Sequence, residues 1–308
     1  MYHNGNNMDY IYEDLRETEY IDDAYERWEE YRRSLTGYVL GCLDKPSRLA
    51  IIGAGACNDC DLSLLISKGH EITLIDYNKG AMQMGLNRQH IGQEVTMIEL
   101  DVFPVGMSGY HGLEELFQRN APFVDVRDYL DRVTGQALQS SFKLPGQYDI
   151  VLAAGFHSQL SIALVTLLHE YQRLGMVCFS REEMVSYAAY VSDINTKLAK
   201  QLHEKLCIAA SRFLYGCEYA CFAKNDASIY QIKSLFEQGR ADVVKELCLS
   251  RVEGAYQLEQ LLGREIMDER LMLESVSYFI WPFHKEKQYL LAGYVCRKCA
   301  GISDERME

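Results

Sequence analysis

A chain of 308 residues, 48% of them apolar, is long enough to bury one large core or two modest ones. Its formal net charge of −13, with no block rich in lysine and arginine, disfavours a nucleic-acid partner. The sequence has no uncharged apolar run of the roughly 18 residues a membrane span needs, and its start, MYHNGNNMDYIYEDLRE, lacks the basic and apolar parts of a secretory leader. A cytoplasmic protein is therefore expected. In a reducing compartment its 10 scattered cysteines read as small core hydrophobes rather than as a disulfide framework.

Residues 1–45 form an acidic, tyrosine-rich lead segment in which Leu15, Tyr20, Ala24, Trp28 and Tyr31 recur at helical spacing. Pro46 then marks a break. Strands are expected at 48–53, 71–76 and 94–100, with a helix after the first starting near Asn58–Asp59. A long insertion follows to about residue 147 and holds a helix in DVRDYLDRVTGQALQSSF. YDIVLAAGF (148–156) reads as a fourth buried strand. A helical region runs over 158–210 with a break near Gly175, LYGCEYACFA (214–223) is a fifth strand, and 229–263 is helical. Two last strands, MLESVSYFIWPF and KQYLLAGYVCR, are joined by a short charged turn at His284–Lys287. With no internal repeat and no low-complexity linker, the expected organisation is a helical N-terminal extension or lid (1–45), one domain over 46–300 with helical insertions near 104–147 and 158–210, and a tail (301–308).

Strands that alternate with helices imply a mostly parallel sheet, whose ligands sit at the carboxyl ends of its strands. Here the first strand runs into Gly53-Ala54-Gly55, and the second stops at Asp76, 21 residues after Gly55. Glycines at that place let the backbone approach a ligand, and an acid at that distance meets ribose hydroxyls. A dinucleotide loop would want glycine at position 58, where the chain has Asn58. The last two strands, joined by a four-residue turn, must also be antiparallel neighbours, whereas a dinucleotide fold closes with a parallel strand.

On these residues the sequence resembles the class I S-adenosylmethionine-dependent methyltransferases. The family's G-x-G-x-G loop corresponds to Gly53-Ala54-Gly55-Ala56-Cys57, with Cys57 in place of the third glycine. Its acid after strand two corresponds to Asp76 in EITLIDYN, its polar residue after strand three to Asp101 in VTMIELDVF, and its strand four to YDIVLAAGF. The family's closing hairpin corresponds to SVSYFIWPFHKEKQYLLAGYVCR, so the resemblance covers roughly residues 48–298 in the family's order. The acid often found at the end of strand one is absent, since Ile52 precedes Gly53. The resemblance implies an α/β fold with a seven-stranded Rossmann-like methyltransferase sheet, mostly parallel with an antiparallel C-terminal hairpin and helices on both faces. It implies S-adenosylmethionine as cofactor, held by Gly53, Ala54, Gly55, Asp76, Tyr77, Asp101, Val102 and Ala154, and a small-molecule methyl acceptor. A homodimer stays open.

Acceptor contacts in the family often follow strand four, which points to His157 as a base that titrates near neutrality, or as a packed residue at a strand end. Ser158 reads as a helix N-cap. Tyr10, Tyr12, Tyr20, Trp28 and Tyr31 could lie as an aromatic lid over a cationic sulfonium or pack an amphipathic helix on the body. Tyr187 and Tyr190, three apart on an expected helix, could line an acceptor pocket but read rather as core packing, and Trp281-Pro282 and His284 read as surface turn chemistry. Cys57-x-x-Cys60 and Cys296-x-x-Cys299 lie too far apart in sequence for a usual zinc pairing, so no metal is expected. Two further functions compete: a non-catalytic S-adenosylmethionine-binding module and a nicotinamide-dependent oxidoreductase.

Overall fold

The computed structural model describes residues 10–18, 21–103, 105–139, 142–240 and 253–299. Two compact units divide the chain. The first comprises Met1–Ile21, Phe103–Ser141 and Ser161–Ile194; the second comprises Asp22–Val102, Phe142–Leu160 and Asn195–Glu308.

The second unit holds one seven-stranded sheet, built from β1 (Arg48–Ile52), β2 (Glu71–Asp76), β3 (Val95–Glu99), β4 (Ile150–Ala154), β5 (Arg212–Ala223), β6 (Leu271–His284) and β7 (Lys287–Lys298). Their order across the sheet is β3-β2-β1-β4-β5-β7-β6. The first five run parallel, while β7 is antiparallel to both β5 and β6. This is the seven-stranded, mostly parallel Rossmann-like sheet expected from the sequence, its last hairpin folded back so that β7 slots between β5 and β6. Strands buried on both faces need near-continuous apolar runs. β1 and β4 have them: Leu49, Ala50, Ile51 and Ile52, then Ile150, Val151, Leu152 and Ala153, are all buried.

The helix expected near Asn58–Asp59 starts later, at Leu62, and runs to Ser67. Asp61 caps it, its Oδ1 accepting from the Leu64 amide at 2.9 Å. The residues between β1 and Asp61 therefore form an extended loop. The helix Lys79–Arg88 follows β2 and is capped in the same way by Asn78, whose side chain accepts from the Ala81 amide at 2.9 Å. The expected helix over 229–263 is described as Ser228–Glu237 and Glu253–Met267. Between these, 241–252 lie outside the described residues.

The first unit is helical. It contains Ile11–Thr18, Gly106–Gln118, Phe123–Gln139, Ile162–Arg173 and the beginning of the long helix Arg181–Ala209. The break near Gly175 falls between the last two, with Gly175 at φ 71°. Gly106–Gln118 had no clear signal in the sequence. Phe117, fully buried, packs with Tyr171 and Tyr187 at ring separations of 5.6 and 6.4 Å. Tyr187 donates to the Leu164 carbonyl at 2.9 Å, and Tyr190 donates to Asp131. Buried Glu114 accepts from the Tyr12 amide at 3.0 Å and from the Tyr171 hydroxyl at 3.1 Å.

The N-terminal extension is thus divided. Tyr10 and Tyr12 belong to the helical unit, stacked on His111 and Tyr110 at 3.7 and 3.8 Å. Trp28 and Tyr31 belong to the sheet unit, and Tyr20 lies outside the described residues.

The Asp61 cap fixes where the loop after β1 stops. Asp61→Ala should cost about 1 kcal/mol of stability, the usual worth of such a cap. Urea denaturation should show this as a lower midpoint at an unchanged slope; an unmoved midpoint would mean that the cap contributes nothing.

Candidate functional site

The carboxyl ends of β1, β2, β3 and β4 are level in the sheet. Ile52 pairs with Ile75, Ile51 with Leu152, and Asp76 with Glu99. Directly beyond these ends stand Gly53–Gly55, Asp76–Tyr77, Asp101–Val102 and Ala154. This is the edge where an open α/β sheet binds its ligand, and β1/β4 is the point at which the strand order reverses.

The loop turns by left-handed backbone at alternate residues: Gly53 at φ 67°, Gly55 at 47° and Cys57 at 56°. Cys57 takes the conformation of the third glycine that it replaces, at a cost of roughly 1–2 kcal/mol for a residue with a Cβ. What holds it there is Gln89. The Gln89 side chain donates to the carbonyls of Cys57 and Cys60 at 2.9 and 3.1 Å, and accepts from the Leu62 amide at 2.8 Å. Nothing in the sequence marked Gln89, a polar residue at the end of an ordinary helix.

Gly55 and Asp76 meet. The Gly55 amide donates to Asp76 Oδ2 at 2.9 Å, and the Asn78 amide donates to Oδ1 at 2.8 Å. Burial pushes the Asp76 carboxyl up, against the pull of these two amides. Each carboxylate oxygen has two lone pairs, so one amide on each leaves room for a further donor. Among the described residues no heavy atom lies within 4 Å of where a Cβ would stand on Gly55, so the loop borders open space there. At Gly53 a Cβ would come within 2.3 Å of the Phe156 ring, so Phe156 covers the start of the loop.

His157 lies in a short 3₁₀ turn (His157–Gln159) and is 1% exposed. Among the described residues neither ring nitrogen has a hydrogen-bond partner, and the ring sits edge-on to Tyr215 at 5.3 Å. Burial, helped by the charge of His203, pushes its pKa down to about 3. That placement does not suit the base role expected for it, because a proton acceptor must reach the substrate.

Ser158 is not the helix N-cap; Ser161 occupies that position before Ile162–Arg173. Instead Ser158 donates its hydroxyl to Glu218 Oε1. Glu218 is buried on β5, beside a bulge between Glu218 and Ala220 where the ladder with β7 shifts register. Burial raises its pKa, and the Ser158 hydroxyl opposes the rise. The sequence signal for Glu218 was there to read: a lone acid within the apolar run LYGCEYACFA.

Trp281 corrects another expectation. It is no surface turn residue: β6 continues past it to His284, and it is 3% exposed. Trp28 and Tyr31 pack on it at ring separations of 5.1 and 5.8 Å. Cys57 and Cys60 are buried in and beside the loop, and Cys296 is buried in β7. Among the described residues no group of three or more histidine, cysteine or acidic side chains could hold a metal ion.

No family model and no curated protein matches the chain. Among solved structures it is similar to the 1,6-didemethyltoxoflavin-N1-methyltransferase of Burkholderia thailandensis, at 9% identity over 96% of this chain and 93% of that one, TM-score 0.41. It is similar to the N-methyltransferase NodS of Bradyrhizobium japonicum, at 12% identity over 94% and 99%, TM-score 0.42. It is also similar to the magnesium protoporphyrin IX methyltransferase ChlM of Synechocystis, at 11% identity over 94% and 90%, TM-score 0.39. These likenesses are distant, and the strand order stands without them.

The buried acids make stability depend on pH. Asp59, between the glycine loop and Asp61, is pushed up to about 7 from an ordinary 3.8, by burial first and by the Glu218 charge, against Tyr31 and Arg32. Over that interval the folded state binds more protons than the unfolded chain, so stability falls as pH rises. Glu218 and Asp76, also raised, act in the same sense. Asp59→Asn should flatten the fall in urea midpoint between about pH 5 and pH 7.5. An identical slope in the variant would contradict this placement of Asp59.

Proposed function

We propose that this chain is an S-adenosylmethionine-dependent methyltransferase acting in the cytoplasm on a small-molecule acceptor. The observation that carries the reading is the union of the glycine loop with Asp76, through the Gly55 amide, at the reversal point of a sheet ordered β3-β2-β1-β4-β5-β7-β6. A parallel closing strand would favour a dinucleotide; here β7 is antiparallel.

The residues present suit this cofactor. The backbone of Gly53, Ala54 and Gly55 borders open space at Gly55 and can approach a ligand closely. Asp76 keeps acceptor capacity for the two ribose hydroxyls. Tyr77, Asp101 and Val102 stand at the ends of β2 and β3, where an adenine would lie, and Ala154 ends β4 beside the loop. When bound, the cofactor supplies a methyl group already activated on a sulfonium. The protein's part is then to align the acceptor and take a proton where one must leave. The net charge of −13 supports a small acceptor over a nucleic acid.

Calorimetry tests this directly. S-adenosylhomocysteine should bind, and NAD should give no comparable heat. Asp76→Ala should lose roughly 1.5–3 kcal/mol of affinity for S-adenosylhomocysteine, as for hydrogen bonds to a charged group. Tighter binding of NAD, or full affinity in a folded Asp76→Ala protein, would overturn the reading.

A further inference from the structure

Buried polar groups in folded proteins are almost always hydrogen-bonded. In the sheet unit, two indoles, a phenol and an acid gather around one place. Among the described residues Trp28 Nε1 and Trp281 Nε1 are donors without an acceptor, while Tyr31 OH and Asp59 Oδ1 face each other and have no other partner. The three aromatic residues are 6%, 2% and 3% exposed. Their rings pack on one another at 5.1 to 6.3 Å. The Trp281 ring and Glu218 Oε1 both border Gly155: a Cβ there would lie 2.8 Å from the ring and 3.7 Å from the oxygen.

The place lies on the β4–β5–β6 side of the site, beyond the end of β4. Ala154 pairs with Gly216, so Glu218 stands two residues further along β5. Ser158, half-buried, binds Glu218 from the turn after β4. Two acids and two indoles gather there with a phenol between them, and the buried Arg32 guanidinium acts on Asp59 from beside them. Aromatic walls attract a cation. The two indole donors want an acceptor atom as well.

We propose that Asp59 and Glu218, walled by Trp28, Tyr31 and Trp281, bind the methyl acceptor, and that this acceptor is a small organic amine carrying an acceptor oxygen. The inference rests on the methyltransferase reading for the word acceptor, but not for the binding site itself. An ammonium donates to the two carboxylates, and its neighbouring oxygen accepts from the indole donors. A carboxylate of the pair takes the proton that the ammonium must lose before its nitrogen lone pair is free.

Trp28 and Trp281 are the chain's only tryptophans, so their emission reports on this place alone. The full-length protein is titrated with phenylalaninol, which carries both groups, with phenethylamine, which lacks the hydroxyl, and with 3-phenylpropanol, which lacks the amine. Phenylalaninol should change the emission saturably and bind tightest, and 3-phenylpropanol should bind weakest. Glu218→Gln and, separately, Asp59→Asn should weaken phenylalaninol roughly ten-fold or more, as expected when one partner of a buried charge pair is lost. Circular dichroism checks each variant's fold; should one fail to fold, the other and the comparison of the three probes on the unaltered protein still decide. Equal binding of 3-phenylpropanol, no emission change with any probe, or full affinity in both folded variants would overturn the proposal. Calorimetry with S-adenosylhomocysteine runs in parallel. Binding of that compound without an amine response sinks the amine site and leaves the methyltransferase reading; an amine response without it does the reverse.

Discussion

The hydrogen bond from the Gly55 amide to the Asp76 carboxylate, next to those from the Gly53 and Ala54 amides to the Ile75 carbonyl, joins the two halves of the candidate ligand edge. It sets the height of the glycine loop over the sheet, because Gly55 follows β1 and Asp76 ends β2. It also sets the charge of the site, since a buried carboxylate is tolerated only with donors around it. The parallel register of β1 with β2 brings the two residues to the same level. Gln89 then fixes the loop's far side, and the left-handed Cys57 is carried in the turn between them.

Beyond β4 the sheet solves a different problem. Glu218 is a charge in a strand buried on both faces, and the bulge after it interrupts the ladder where it stands. Ser158 meets one of its oxygens. Trp281 closes over Gly155, where any side chain would collide with the indole. The result is an apolar wall around two acids, each held toward its neutral form by burial. That arrangement is expensive for stability, and costs of this kind cluster at functional sites.

Much of this was legible before any coordinates. The apolar runs ending at Gly53 and Asp76, and the charged turn between β6 and β7, determine the sheet type. The strand boundaries fell within a few residues, because Pro46, Gly155 and the His284–Lys287 turn punctuate them. What escaped depends on long-range contact. Gln89 looks like any surface residue until the loop lies under it. The helix Gly106–Gln118 carries five glycine and serine or polar interruptions at its start and hid its period. Trp281 read as a turn residue because Pro282 follows it, yet the strand continues through an irregularity between Trp281 and His284. His157 looked like a base by type and position, and only burial among Tyr215 and its neighbours speaks against that role.

The central claim is that the loop after β1 and the acid after β2 hold one nucleoside between them. A crystal structure of the protein grown with S-adenosylhomocysteine tests it most directly. The ribose hydroxyls should donate to Asp76, with the Gly53–Gly55 backbone against the ligand and the adenine at Asp101 and Val102. Ligand density elsewhere, with Asp76 bonded only to the Gly55 and Asn78 amides, would contradict it.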